Sequence, residues 1–191
     1  MNKIVFDVET KNTFQEVGKN DPAALDISIL VTYDYATGSY TRFTQEDFPK
    51  LWKLLENCDI LIGYNSDYFD IPLLNKYYPG DLTKIRSLDI LSEIKKSLGR
   101  RISLDSVAEG TLGKKKSGHG LEAVTWWKSG EIEKIMHYCE EDVRITKEVY
   151  EYALKNKSLK YKWFHENAEF PVDTSLWEET NSHSINQTLP L

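Results

Sequence analysis

An unbroken apolar run near the start of the chain restricts the fold more than any other feature. Residues 4–6 read Ile-Val-Phe without a polar break, which predicts a buried strand over 3–8. A hairpin is predicted next, with strands at 27–35 and 39–43. Later segments alternate between short apolar runs and helical periodicity. This order predicts an α/β domain with a mixed central sheet flanked by helices.

The longest helix has the clearest pattern, because apolar residues recur at spacings of three and four from Ile132 to Ala153. A length of 191 residues suits one domain, expected at 1–156, with 157–191 as a C-terminal arm or tail packed on it. The remaining predicted elements are helices at 45–56, 70–78, 87–98, 103–109 and 131–154, and strands at 59–62, 85–88 and 161–164.

Composition argues against several classes of protein. No apolar run approaches the roughly 20 residues of a membrane span, and the N-terminus lacks a signal-peptide pattern, so we expect a cytoplasmic protein without membrane contact. Cys58 and Cys139 have no CxxC-type partner, which argues against a zinc site. The net charge of −6 argues against coating of nucleic acid by bulk electrostatics, although an enzyme that holds a short end remains compatible.

Two acidic residues stand where the first strand ends. Asp7 and Glu9 are two apart, so their side chains project from the same face of a strand. Like charges in this position repel each other and are costly to desolvate unless a cation lies between them. Taken alone, the pair also fits an ordinary solvated strand end.

Two further motifs place carboxylates on predicted helices. Asp70 follows a polar turn containing Asn65, and could be either a helix N-cap or a ligand. On the longest helix, Tyr138 and Asp142 are four residues apart and share one face. Taken alone, this pair also fits a tyrosine hydroxyl hydrogen-bonded to a carboxylate without a catalytic role. The three motifs in one chain are far more specific than any one of them.

Together the motifs resemble those of the DEDD 3′–5′ exonucleases, a family with a ribonuclease-H-like fold. The family pattern is DxE on the first strand, then N-x-x-x-F-D, then an Asp preceded by Tyr or His. This chain carries the pattern between residues 3 and about 153. Its segments GYNSDYFDIP and YCEEDVRIT are most similar to proofreading exonuclease domains of family B DNA polymerases and their stand-alone relatives.

The resemblance implies hydrolysis of phosphodiester bonds at the 3′ end of single-stranded DNA or RNA by a two-metal mechanism, with DNA slightly favoured. Two divalent cations, Mg²⁺ or Mn²⁺, would be the cofactors, since ligands that are all oxygen favour hard cations. Whether a polymerase or helicase partner is involved stays open. The implied metal ligands are Asp7, Glu9, Asp70 and Asp142.

The resemblance also implies roles for other side chains. Tyr138 would orient the attacking water, while Thr10, Asn65 and Phe69 would lie near the terminal nucleotide. Phe69 fits equally well as a core aromatic residue. The neighbouring pair Trp126 and Trp127 is expected to pack under the last helix rather than to stack on bases.

The family divides by whether Tyr stands four residues, or His five residues, before the last Asp, and this chain has both. In a continuous helix, position i−4 lies about 40° around from Asp142 and position i−5 about 140°. The apolar periodicity begins before His137. The helical phase therefore favours Tyr138 as the active-site residue, with His137 on the helix surface.

A local excess of positive charge is the last candidate feature. Residues 95–116 include seven basic residues and only two acidic ones. Lys114, Lys115 and Lys116 are therefore candidate phosphate contacts, although a solvated surface explains them equally well. Two alternatives to the exonuclease stay open: an exoribonuclease that trims RNA, and an inactive nucleic-acid-binding module of the same fold.

Overall fold

The N-terminal apolar run forms the central strand of a five-stranded sheet. The computed structural model describes residues 1–115 and 120–179. The strands of this sheet, in spatial order β3-β2-β1-β4-β5, are β1 (Lys3–Thr10), β2 (Ile27–Asp34), β3 (Ser39–Phe43), β4 (Ile60–Gly63) and β5 (Ser87–Asp89). Strand β2 pairs antiparallel with both β1 and β3, whereas β4 pairs parallel with both β1 and β5. The predicted mixed α/β sheet is confirmed.

Helices cover both faces of this sheet, and short 3₁₀ turns lie at Pro22–Ala24, Gln45–Asp47 and Leu82–Lys84. The helices are α1 (Phe14–Val17), α2 (Phe48–Glu56), α3 (Asp70–Asn75), α4 (Ile90–Leu98), α5 (Leu104–Leu112), α6 (Gly120–Lys128) and α7 (Ile132–Asn156). Successive side chains of β1 point to opposite faces of the sheet, and both faces are buried, which explains why its apolar run has no polar break. Val5 points into a core shared with α4, α5 and α7, whereas Ile4 and Phe6 point into a second core with α2 and α3.

Some boundaries differ from the predicted ones for local reasons. The predicted helix over 45–56 is split into a 3₁₀ turn and α2, because Pro49 in the first turn of α2 lacks an amide hydrogen for the helical ladder. The predicted helix over 70–78 ends at Asn75, whose side chain accepts a hydrogen bond from Leu82 N at 2.8 Å. Helix α4 begins at Ile90 because Asp89 caps it.

The C-terminal part of the described chain begins with a hairpin that was only partly predicted. Its strands are β6 (Ser158–Trp163) and β7 (Glu166–Pro171), which pair antiparallel and pack against α5. Beyond it, Trp177 is buried and stacks on Tyr150 of α7 with ring centroids 5.7 Å apart. None of the helices in the described ranges combines the length and apolar character needed to cross a bilayer.

Candidate active site

Asp7 and Glu9 lie on the part of β1 that extends beyond β4. Strand β4 pairs with β1 only as far as Val5, and the face of β1 that carries Asp7 and Glu9 is covered by α7. Asp142 of α7 reaches the same place. One carboxylate oxygen from each of the three residues lies within 4.8 Å of the other two. The structure therefore brings together three of the four side chains that the resemblance implies as metal ligands.

Asp70 approaches the group from the edge of β1 that β4 leaves unpaired. Because β4 ends before it can pair with Val8, the Val8 amide donates instead to Asp70 Oδ1 at 3.1 Å. Asp70 is only 4% exposed. Its burial, followed by the charges of Asp7 and Asp89, raises its pKa well above the usual range.

These carboxylates fit a divalent cation. Asp7, Glu9 and Asp142 each offer one carboxylate oxygen, and these three oxygens lie within 4.8 Å of one another, close enough to share one ion. Oxygen ligands of this kind are those that magnesium and manganese prefer. Among the described residues, the structure therefore offers a group that could hold a metal ion, consisting of Asp7, Glu9 and Asp142 with Asp70 beside it.

A cavity of about 430 Å³ opens onto the carboxylates. Its walls include most of the residues that the sequence assigned to the site, and it measures well within the range of small-ligand pockets. Phe69 lies on this wall and also makes an edge-to-face contact with Phe14, so both of its predicted roles are compatible with its position. The sequence-predicted residues on the wall are Asp7, Glu9, Thr10, Asn65, Phe69, Asp70, Tyr138 and Asp142.

Tyr138 and His137 lie on different sides of α7. Tyr138 is 3% exposed and lines the cavity, with its ring 5.7 Å from that of Trp126. His137 is exposed, and its Nδ1 lies 3.2 Å from Nη2 of Arg42. Helix α7 begins at Ile132, before both residues, as the apolar periodicity predicts. This geometry favours Tyr138 over His137 as a group that can contact a substrate.

Asp89, Arg101 and Cys139 contact residues of the site, although the sequence analysis did not assign them to it. Asn65 has a left-handed φ of 65°, and its amide donates to Asp89 Oδ1 at 2.7 Å. Its side-chain oxygen accepts a hydrogen bond from Arg101 at 2.6 Å. Cys139 is buried under Asp7, with Sγ 3.3 Å from the Asp7 carbonyl oxygen. The -Asp-Ile-Leu- start of α4 is a recognisable cap, but nothing in the sequence connects Asp89 or Arg101 to Asn65.

None of the described lysines of the basic stretch is among the residues that line the cavity. Lys114 forms an ion pair with Glu148 of α7, and the Lys115 ammonium lies 4.0 Å from Glu109. Lys116 lies outside the described residues. Trp126 and Trp127 are half-buried; Trp126 packs on α7, and Trp127 lies under the Lys11 ammonium at 4.8 Å.

Replacing the three lysines together by alanine tests their predicted phosphate contacts. Three free contacts would reduce the log–log salt slope of single-strand binding by about 2, at roughly 0.7 per contact. Because Lys114 is paired with Glu148, we expect a smaller reduction. Titrations between low and moderate salt measure the slope. A full reduction of about 2 would show that the ion pair opens for the substrate.

The sheet order, the carboxylates at the end of the central strand and the long helix across them define a ribonuclease-H-like fold with an acidic site. A family model described as the RNase H superfamily matches residues 4–154, and the chain belongs to that superfamily. A search of curated protein sequences gave no match.

The fold is also similar to a solved structure, that of the family B DNA polymerase from the hyperthermophilic archaeon Pyrobaculum calidifontis. The TM-score is 0.61 at 19% identity, and the match covers 81% of this chain. The chain spans only about a quarter of the polymerase, since 24% of that chain is covered. The superfamily and the fold together support the resemblance to DEDD-type exonucleases.

Proposed function

We propose that this protein is a metal-dependent nuclease that removes nucleotides from the 3′ end of single-stranded nucleic acid, with DNA slightly favoured over RNA. The observation that carries the proposal is the convergence of four carboxylates and a buried tyrosine on one cavity wall. Superfamily membership supports nuclease chemistry. Four carboxylates in one place repel one another and are costly to bury, which bound cations explain better than a purely structural role does.

The chain's own residues would have separate roles in the reaction. Asp7, Glu9, Asp70 and Asp142 would hold the divalent cations, which when bound supply charge neutralisation and an activated water at the scissile phosphate. Tyr138 would orient the attacking water through its hydroxyl rather than act as a strong base, because an ordinary tyrosine hydroxyl ionises near pH 10.

The cavity walls would hold the terminal nucleotide. Thr10 and Asn65 offer polar atoms, and Phe69 offers a partly exposed ring. Asp89 holds the backbone of Asn65 in its left-handed conformation, so the Asn65 side chain is fixed before the substrate arrives. A fixed arrangement of this kind lowers the ordering cost of binding.

The proposal is tested with single-stranded DNA and RNA of one sequence, each labelled once at the 5′ end and once at the 3′ end. Reactions contain magnesium, manganese or EDTA. We expect a ladder of shortened 5′-labelled products, release of the 3′ label as a mononucleotide, and no products in EDTA. The ratio of DNA to RNA rates gives the sugar preference. Metal-independent cleavage, or products that start from the 5′ end, would contradict the proposal.

A further inference from the structure

The candidate active-site cavity does not end at the carboxylates. A second cavity of about 360 Å³ adjoins it and shares two wall residues, Tyr64 and Asn65. The far wall of this second cavity is the extended segment that joins α4 to α5, including Arg101. A strand whose 3′ end lies at the carboxylates could therefore leave past Asn65 and Arg101.

Two adjacent arginines mark this exit. Arg100 and Arg101 are both exposed, and neither has a carboxylate partner within the part of the chain that the structure describes. Arg101 donates to the Asn65 side chain at 2.6 Å, and Arg100 donates to the Tyr161 hydroxyl at 2.6 Å. Arginine is a residue of choice for phosphate recognition, and an unpaired guanidinium keeps its full charge for that contact.

The exit leads to an exposed aromatic tip on the β6–β7 hairpin. The Arg100 guanidinium lies 4.6 Å from the ring of Trp163, which is 49% exposed. Phe164 follows at 80% exposure, the highest among large apolar residues in the described ranges. Its φ of 51° is unusual for a bulky residue, so the turn displays this ring at a conformational cost.

The hairpin that carries these rings is held firmly on α5. Thr111 Oγ1 donates to the Lys160 carbonyl at 2.6 Å, and Ser106 Oγ donates to the Lys162 carbonyl at 2.8 Å. Gly110 allows this approach, because a Cβ there would lie 2.5 Å from the Tyr161 backbone. Strand β6 is therefore fixed on α5 as far as Lys162, the residue before Trp163.

We propose that Arg100, Arg101, Trp163 and Phe164, here called the upstream surface, bind the part of a single strand that lies on the 5′ side of its 3′-terminal nucleotides. Exposed aromatic rings beside unpaired arginines are the combination that binds single-stranded nucleic acid without reading sequence, by base stacking and phosphate contacts. The hairpin contributes two lysines and two glutamates, so the arginines provide the excess positive charge.

This inference rests on the proposed function and extends it, because it makes the substrate a strand of several nucleotides rather than a dinucleotide. We therefore expect the binding affinity to depend on the length of the strand. Oligonucleotides of about 3 nucleotides reach the carboxylates only, whereas about 12 nucleotides, within the usual size of single-strand sites, also reach the upstream surface.

The test measures binding by fluorescence anisotropy with both lengths, in calcium or EDTA so that the strand stays intact. The main variant combines Trp163→Leu with Phe164→Asn, since asparagine tolerates the left-handed turn. We expect the affinity gained between the short and the long strand to fall by at least about fivefold, as for one lost stacking contact. Arg101→Ala should lower the salt slope for the long strand by about 0.7.

Two matched control variants remove an apolar side chain and a positive charge at exposed positions outside the upstream surface. Leu176→Ala removes an apolar side chain that is 61% exposed, and Lys53→Ala removes an exposed charge on α2. Both should keep the wild-type length dependence. Far-ultraviolet circular dichroism and melting curves establish that each variant is folded, and Arg101→Ala gives a second reading that leaves the hairpin intact.

The outcomes separate the two proposals. Wild-type protein that binds neither length would overturn the proposed function itself. Wild-type length dependence retained in the double variant and in Arg101→Ala would overturn the upstream surface alone. Binding of the aromatic tip to lipid vesicles, lost in the double variant while strand binding is kept, would also overturn it and would assign the tip to a membrane instead.

Discussion

Replacing Asp7 by asparagine is expected to lower turnover of a labelled single strand by at least about 100-fold, the order expected when a metal-based site is disrupted. Asp7, Glu9 and Asp142 each have an oxygen within 4.8 Å of the others, so the loss of Asp7 removes one charged member of this group. Asparagine keeps the shape and one oxygen while removing the charge. The same loss is expected for Asp70→Asn and Asp142→Asn.

The metal-free Asp7→Asn protein should be at least as stable as the wild type. The charge of Asp7 is one reason why the pKa of Asp70 is raised, so removing it relieves repulsion between buried carboxylates. Manganese or magnesium should raise the melting temperature of the wild type, since a ligand that binds only the folded state stabilises it. In Asp7→Asn that increase should largely disappear.

The matched control is Glu46→Gln, which removes one negative charge from an exposed 3₁₀ turn. It should retain wild-type turnover and the wild-type metal response. Folded Asp7→Asn protein with turnover within about tenfold of the wild type would refute the assignment of the carboxylates, because that loss is far smaller than removal of a metal ligand causes.

The parts of the site that the sequence predicted depend on local periodicity. Asp7 and Glu9 are two apart on one strand, and Tyr138 and Asp142 are four apart on one helix, so each pair is fixed by the geometry of its own element. The mixed sheet was predicted from the order of strands and helices along the whole chain. That the carboxylates of the three motifs belong to one site was implied only by the family resemblance.

The parts that the sequence did not predict depend on contacts between distant segments. Arg101 meets Asn65 across 36 residues, and Asp89 meets it across 24. Helix α6 was missed because residues 120–128 begin with glycine and include two β-branched residues and two tryptophans, which weakens the helical signal. The β6–β7 hairpin was only partly predicted, since its docking depends on Gly110 in another element.

The hydroxyl of Tyr138 is the group whose removal should separate chemistry from metal binding. Tyr138→Phe keeps the ring that packs on Trp126 and removes only the oxygen that can face a substrate in the cavity. We expect kcat to fall by roughly 10- to 1,000-fold, the range for a lost positioning or proton-transfer contact. The melting-temperature increase caused by manganese should be unchanged, because Tyr138 is not among the carboxylate ligands.

The neighbouring histidine provides the control for this prediction. His137 is exposed and lies beside Arg42, on a different side of α7 from Asp142, so His137→Ala should keep kcat within about twofold of the wild type. The expected pattern is a fall in kcat with little change in KM for Tyr138→Phe, because the hydroxyl would act in the transition state and not in ground-state binding. If His137→Ala were the damaged variant and Tyr138→Phe were nearly normal, α7 would have to begin after His137 in the active protein. The histidine would then face the carboxylates, and the chain would belong with the histidine-containing exonucleases instead.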